Sequence, residues 1–239
     1  MRKFIYSLLI SAFIPGVLAA DEKEAVLFAC NEFPPQKMEN SADGKKGIDV
    51  DILEAVFQDI NIDFEIRYYP WKRALQLAQN GSVDGLCSCS YTKEREQYFH
   101  YTEKMGDVGI GLFYKTGKSP DNILDNGNRI GVIRGYALSR DLVKKNVEKV
   151  DFNDDLLALR ILNVNRIEGF YSYRDTGLYL LRKNPLIKDI KYKEYHSSDY
   201  FSCFSKETFN DRSLVNKFNK GLKKLKENGE YDKILNEYR

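Results

Sequence analysis

The chain has 239 residues, 43% hydrophobic and 30% charged, an ordinary globular composition with length for one or two domains. Lys and Arg total 37 against 35 Asp and Glu, and two of those cations, Arg2 and Lys3, stand at the very start. Without them the charges balance, which excludes nucleic acid as the main partner and a polybasic membrane-surface binder, since both need clustered surplus cations. Six prolines and 16 glycines are too few for a low-complexity chain.

Arg2 and Lys3 precede an apolar stretch from Phe4 to Leu18 that ends in Ala19-Ala20. Charge, a short greasy segment and then small residues make the layout of a secretory signal peptide, so residues 1–20 are expected to be removed on export. Pro15 and Gly16 interrupt the run, which falls short of the roughly 20 residues that span a bilayer. No cysteine lies at the cleavage site. The mature protein is expected to be soluble and periplasmic, without a lipid anchor.

A strand over Ala25 to Cys30 leads into the loop Asn31-Glu32-Phe33-Pro34-Pro35. Gly47-Ile48-Asp49-Val50-Asp51 then opens a helix whose apolar Ile52, Leu53, Val56, Phe57 and Ile60 recur at helical spacing. Phe64 to Tyr68 alternates as a strand and ends at Tyr69-Pro70-Trp71. A helix through Ala74, Leu75, Leu77 and Ala78 is stopped by Asn80-Gly81, and Val83 to Cys89 is the next strand. Strand, helix, strand, helix, strand is the grammar of a parallel sheet covered by helices.

The unit recurs. Residues 74–86 align without gaps to residues 158–170, each a helix, a left-handed cap (Gly81 or Asn165), an apolar residue, an acid and a glycine opening a strand. Gly117-Lys118-Ser119-Pro120 reads as the crossover into a second lobe whose sheet starts at Arg129 to Ile133. Alternation fades near Tyr192 to Tyr195 and returns in a strand over Tyr200 to Ser205. A C-terminal helical stripe of Leu214, Val215, Phe218, Leu222 and Leu225 is broken by Gly229 and resumes through Tyr231, Ile234, Leu235 and Tyr238.

Export permits disulfides among Cys30, Cys87, Cys89 and Cys203, with three full pairings open. The favoured reading is four small buried core residues, because Cys87 and Cys89 fall on one face of one strand, where a bond between them is strained. No histidine stands near to complete a metal set, so no metal and no cofactor are expected.

The ordered segments Pro34-Pro35, Gly47 to Asp51, Trp71 spaced to Gly81-Ser82-Val83-Asp84, Thr92-Lys93-Glu94-Arg95, Val132-Ile133-Arg134-Gly135 and Asn228-Gly229 resemble the type II periplasmic solute-binding proteins of ABC importers, in the amino-acid-binding family 3. The resemblance runs over roughly Val26 to Tyr238. It implies an α/β fold of two lobes, each a mostly parallel sheet flanked by helices, closing on a solute in the cleft between them. Lobe 1 would hold residues 21–117 and 197–239, and lobe 2 the insertion 118–196.

By the same resemblance Arg95 ends the threonine-x-x-arginine signature and clasps the solute's carboxylate, which a guanidinium can do with two parallel charge-assisted bonds. Trp71 would give the solute a flat wall, Arg73 a second cation, and Glu32 and Phe33 contacts from the first loop. Tyr91 and Thr92 would donate hydroxyl or backbone hydrogen bonds. Arg134, Gly135 and Tyr136 form the facing turn of lobe 2. Asp51, Asp84 and Glu168 read as structural. The family's aspartate for the solute's ammonium is replaced here by Tyr173, followed by Arg174 and Asp175. Either Glu32 or Asp175 reaches the ammonium, or the solute has none and stacks on Tyr136, Tyr173 or Trp71.

The resemblance therefore points to a monomeric periplasmic receptor that hands a small carboxylate-bearing solute, foremost a polar amino acid, to an ABC permease in the inner membrane. Two other classes stay open: a dehydratase of cyclic carboxylic acids on the same fold, and a ligand sensor feeding a signalling receptor. His100 and His196 lie off the motif positions, and no catalytic residue is assigned.

Overall fold

The computed structural model describes residues 25–238; the export signal expected over residues 1–20 lies outside the described residues. The chain runs β1 (Val26–Cys30), α1 (Ile48–Asp59), β2 (Phe64–Tyr68), α2 (Trp71–Gln79), β3 (Gly85–Ser90), α3 (Lys93–Glu96), β4 (Phe99–Tyr101), β5 (Gly106–Lys115), α4 (Pro120–Ile123), β6 (Asn128–Ile133), β7 (Val147–Phe152), α5 (Asp155–Asn163), β8 (Gly169–Tyr173), α6 (Arg174–Lys183), β9 (Ile190–Ser205), α7 (Ser213–Glu227) and α8 (Glu230–Glu237). Among the described residues no helix is long and apolar enough to cross a membrane.

Two halves of the same design share one strand path, β2-β1-β3-β9-β5-β8-β6-β7. In the first half β1 lies parallel to β2 and β3, and the end of β9 closes the set antiparallel to β3. In the second, β6 lies parallel to β7 and β8, and β5 closes the set antiparallel to β8. The long strands β5 and β9 pair with each other and carry the chain between the halves. This is the two-lobed type II periplasmic-binding-protein fold. The Gly117–Pro120 turn comes after β5, whose residues 110–114 already pair with β8.

Burial explains the elements. Helix α1 turns Ile52, Leu53, Val56 and Phe57 inward, where Phe57 stacks on Phe64 and Phe204 meets Phe28 and Phe218 edge-on. Gly229, at φ 80°, splits the C-terminal stripe into α7 and α8. Strand β9 is continuous where the sequence pattern fades. The register slips between Ile110 and Gly111, leaving Tyr195 as an extra residue between His196 and Glu194, and such a bulge flips the in–out alternation.

The cysteines correct the reading as free core residues. Cys30 is bonded to Cys87, joining β1 to β3, and Cys89 to Cys203, joining β3 to β9. Each cysteine of β3 reaches sideways to a neighbouring strand instead of along its own, at Cα separations of 5.2 and 6.4 Å, which suit a disulfide.

Candidate functional site

The first half builds its wall from three pieces. The loop after β1 is pinned by reciprocal backbone bonds between Phe33 and Lys37, 2.9 Å each, and sits on the start of α1, where the Asp49 N–H donates to Gln36 O at 2.8 Å. Gly47 is required there: its φ is 109°, and a Cβ would lie 2.4 Å from Gln36 O. Trp71 begins α2 after Pro70. Thr92 caps α3 by accepting the Arg95 N–H at 3.2 Å, which holds Arg95 at the end of β3.

The second half answers with the turn after β6 and the end of β8. Gly135, at φ 84°, turns its carbonyl toward the first half, where it accepts from Trp71 Nε1 at 2.8 Å and from the Arg95 guanidinium at 2.9 Å. A second guanidinium N–H donates to Ser90 O at 3.0 Å, and the guanidinium lies 5.2 Å from the Trp71 ring centroid. Tyr173 shares a hydrogen bond with Ser90 Oγ at 3.1 Å. The rings of Phe33, Tyr136 and Tyr173 meet at 5.3–6.1 Å, and Trp71 meets Tyr136 at 6.0 Å.

Between the halves lies a cavity of about 40 Å³, room for a few waters. Phe33, Trp71, Arg95, Tyr136 and Tyr173 line it, and Gly135 caps its arginine. The other sequence candidates lie elsewhere. Thr92 acts through its cap. Tyr91 is 48% exposed and bonds Glu96. Arg73 is exposed on α2, and Arg134 pairs with Asp151 on the surface. Asp175 accepts from Arg174 Nε at 2.8 Å and lines a different cavity beside α8. Glu32 accepts the Glu39 N–H and lines an adjoining cavity that shares Trp71 and Tyr136 with the first. Neither carboxylate proposed for an ammonium lines the inner cavity.

Sequence reading passed over two buried networks. In the first half Lys37 Nζ donates to Ser88 Oγ at 2.9 Å, Ser88 Oγ donates to Asp49 Oδ2 at 2.6 Å, and Tyr200 OH donates to Asp49 Oδ1 at 2.9 Å. All four residues line the inner cavity. Burial pulls the Lys37 ammonium down to about 8 against the nearby charges of Asp49 and Glu32, and pushes the Asp49 carboxyl up. In the second half Ser172 Oγ donates to Asp155 Oδ1 at 2.7 Å and Tyr136 OH to Oδ2 at 3.3 Å; burial raises this carboxyl to about 6. Extending the internal repeat three residues backward would have set Asp155 opposite Trp71, each the first residue of its helix. Lys37, a lone lysine after a turn, carried no such signal.

Three comparisons bear on this arrangement. The family model described as bacterial extracellular solute-binding proteins, family 3, matches residues 26–239. A probable histidine-binding protein of Neisseria gonorrhoeae is 24% identical over 216 residues, covering 87% of this chain and 80% of its own. Among solved structures, a histidine kinase sensor domain with similarity to periplasmic binding proteins superposes with a TM-score of 0.80 at 20% identity, covering 92% of this chain and 97% of its own. An ancestral arginine-binding protein bound to arginine gives 0.78 at 21%, covering 89% and 98%. At these identities the structural likeness is one of fold.

Proposed function

The chain belongs to the bacterial extracellular solute-binding proteins, family 3, and from that premise we propose that it is a periplasmic receptor that captures a small carboxylate-bearing solute for an ABC importer. The observation that carries the reading is Arg95: a residue only 6% exposed, placed where the halves meet, with its guanidinium hydrogen-bonded to the carbonyls of Ser90 and Gly135. A carboxylate arriving as the halves part can take over those donors, and a guanidinium bonds an ionised, two-pronged acceptor more strongly than the neutral carbonyls it replaces. Trp71 and the rings of Phe33, Tyr136 and Tyr173 supply the apolar walls that small-solute clefts use.

Relatives named for binding histidine and arginine support a polar amino acid as the solute. The inner cavity pulls the other way, because its one carboxylate, Asp49, is engaged at both oxygens. An ammonium would have to turn to the adjoining cavity, which Glu32 and Asp155 line.

A thermal-shift screen of the mature protein against amino acids, small organic acids and polyamines tests the receptor reading. A ligand at about 100 times its dissociation constant adds roughly 2.7 kcal/mol, several degrees for a protein of this size. A carboxylate that stabilises wild type and not Arg95→Ala supports the reading; stabilisation by polyamines alone overturns it.

A further inference from the structure

The inner cavity holds a second cation that the receptor reading does not use. Lys37 is 3% exposed, and its ammonium lies 5.0 Å from the centroid of the Phe33 ring, which itself lines the cavity. A lysine kept only to neutralise a buried acid would meet it directly. Here Ser88 stands between Lys37 and Asp49, spending one lysine N–H and satisfying one carboxylate oxygen, while Tyr200 satisfies the other. Each carboxylate oxygen already accepts one bond, while the ammonium has N–H groups to spare. Beside it Gln36, 5% exposed and lining the same cavity, has an Oε1 without a hydrogen-bond partner. Arg95 lines the same cavity, and so does Tyr173, a neutral phenol whose hydroxyl is shared with Ser90.

We infer that Lys37 supplies from the protein the positive charge that an amino acid would bring as its α-ammonium, so that the solute is a carboxylate without one: a 2-hydroxy acid, a 2-oxo acid or a dicarboxylate held between Arg95 and Lys37. The inference rests on the receptor reading of the same cleft and names its substrate class. An α-ammonium entering this cavity meets two cations and a carboxylate already bonded at both oxygens, and the neutral Gln36 Oε1 alone does not replace the counter-charge its desolvation requires. A hydroxyl, a carbonyl or a second carboxylate in its place accepts from Lys37. Selectivity then arises as much from refusing the wrong solute as from holding the right one.

Titration calorimetry at pH 7 on the mature protein tests this with matched sets: L-alanine, L-lactate and pyruvate; L-glutamate, 2-hydroxyglutarate, 2-oxoglutarate and glutarate; L-phenylalanine, phenyllactate and phenylpyruvate. In the set that binds best, a compound without the ammonium should bind at least tenfold tighter than its amino acid. The double variant K37M/D49N removes the ammonium and its counter-charge together, leaving no buried charge unpaired, and should shrink that ratio below threefold. A structural role for Lys37 would lower all affinities and leave the ratio unchanged. An amino acid that binds as tightly as its analogues, or tighter, and depends on Arg95 overturns the inference and leaves the receptor standing. A ratio that survives in the double variant also overturns it. Should no carboxylate of any set bind, the receptor reading fails, and the inference with it.

Discussion

Strands β3 and β8 occupy the same place in the two halves and read Gly85-Leu86-Cys87-Ser88-Cys89-Ser90 and Gly169-Phe170-Tyr171-Ser172-Tyr173. Each is preceded by an acid that accepts the backbone N–H of the neighbouring strand at 2.8 Å, Asp84 from Leu27 and Glu168 from Arg129. Each carries a buried serine that donates to a buried carboxylate. What differs is the company. In the first half two cysteines flank the serine and staple β3 to its neighbours, and the carboxylate has a lysine nearby. In the second half two tyrosines flank the serine, and the carboxylate has a phenol and no cation. A shared frame of glycine, acid and serine builds the sheet twice, while the flanking positions decide which half is stapled by disulfides and which sets tyrosines beside its serine.

The comparison breaks most sharply at the disulfides, all in the first half. The bonds span 57 and 114 residues, and by chain entropy each is worth roughly 4 kcal/mol. Opening both by reduction, or by Cys→Ser at all four positions, should lower the denaturation midpoint strongly. Hydrogen exchange should show β1 and β3 losing more protection than β6 and β8; equal losses in both halves would mean that the staples do not act locally. Next in size is Arg95→Ala, which on the proposed reading leaves a solute carboxylate unpaired in a partly desolvated cleft and should weaken binding by about 3–5 kcal/mol. Arg95→Lys should recover only part of this, since the two-pronged geometry is lost.

The two buried carboxylates should then respond to the same substitution with opposite signs. Asp49→Asn leaves Lys37 buried without its counter-charge and should cost roughly 3 kcal/mol. Asp155→Asn removes a charge that has no cation and keeps an acceptor for Ser172. Burial holds the folded Asp155 carboxyl to about 6, whereas an unfolded aspartate releases its proton near about 4. The folded state thus keeps the proton more tightly, and Asp155 makes stability fall as pH rises from about 4 to about 6 and stay level above. Two pKa units correspond to about 3 kcal/mol at most. Asp155→Asn should flatten that decline and stabilise the protein at pH 7, with little change at pH 4. Urea melts at several pH values check this, and a loss of stability at pH 7 would mean that the carboxylate is paired after all.

Much of this fold is legible in the sequence because the repeat and the glycines mark it: β2 falls on Phe64–Tyr68 as its alternation predicts, and Gly229 divides α7 from α8. Arg95, Trp71, Phe33, Tyr136 and Tyr173 converge because each stands at an element end that the motifs locate. What stays hidden is what depends on contacts between strands. The disulfides follow from lateral register, which no single segment encodes. Asp49 sits inside a quoted motif, yet burial and its bonds to Ser88 and Tyr200 join residues 39 and 151 positions apart. Tyr195 hides a bulge, so the longest strand reads as two pieces.

The smallest expected effect tests the repeat at its caps. Gly81 and Asn165 close α2 and α5 with φ of 73° and 55°, the left-handed region that glycine enters freely and asparagine enters at modest cost. The surroundings are not equivalent. A Cβ at Gly81 would lie 2.8 Å from Glu207 Cβ, an atom near the backbone that cannot swing away, so Gly81→Asn adds crowding to the conformational cost and should destabilise by about 1–2 kcal/mol. Asn165→Gly relieves the conformational cost but loosens the unfolded chain, two effects of about 0.5–1 kcal/mol each that nearly cancel. Chemical denaturation should therefore register the first change and miss the second. If Gly81→Asn proves as silent as Asn165→Gly, the two caps are interchangeable, and the close packing against Glu207 does not set the residue at the first.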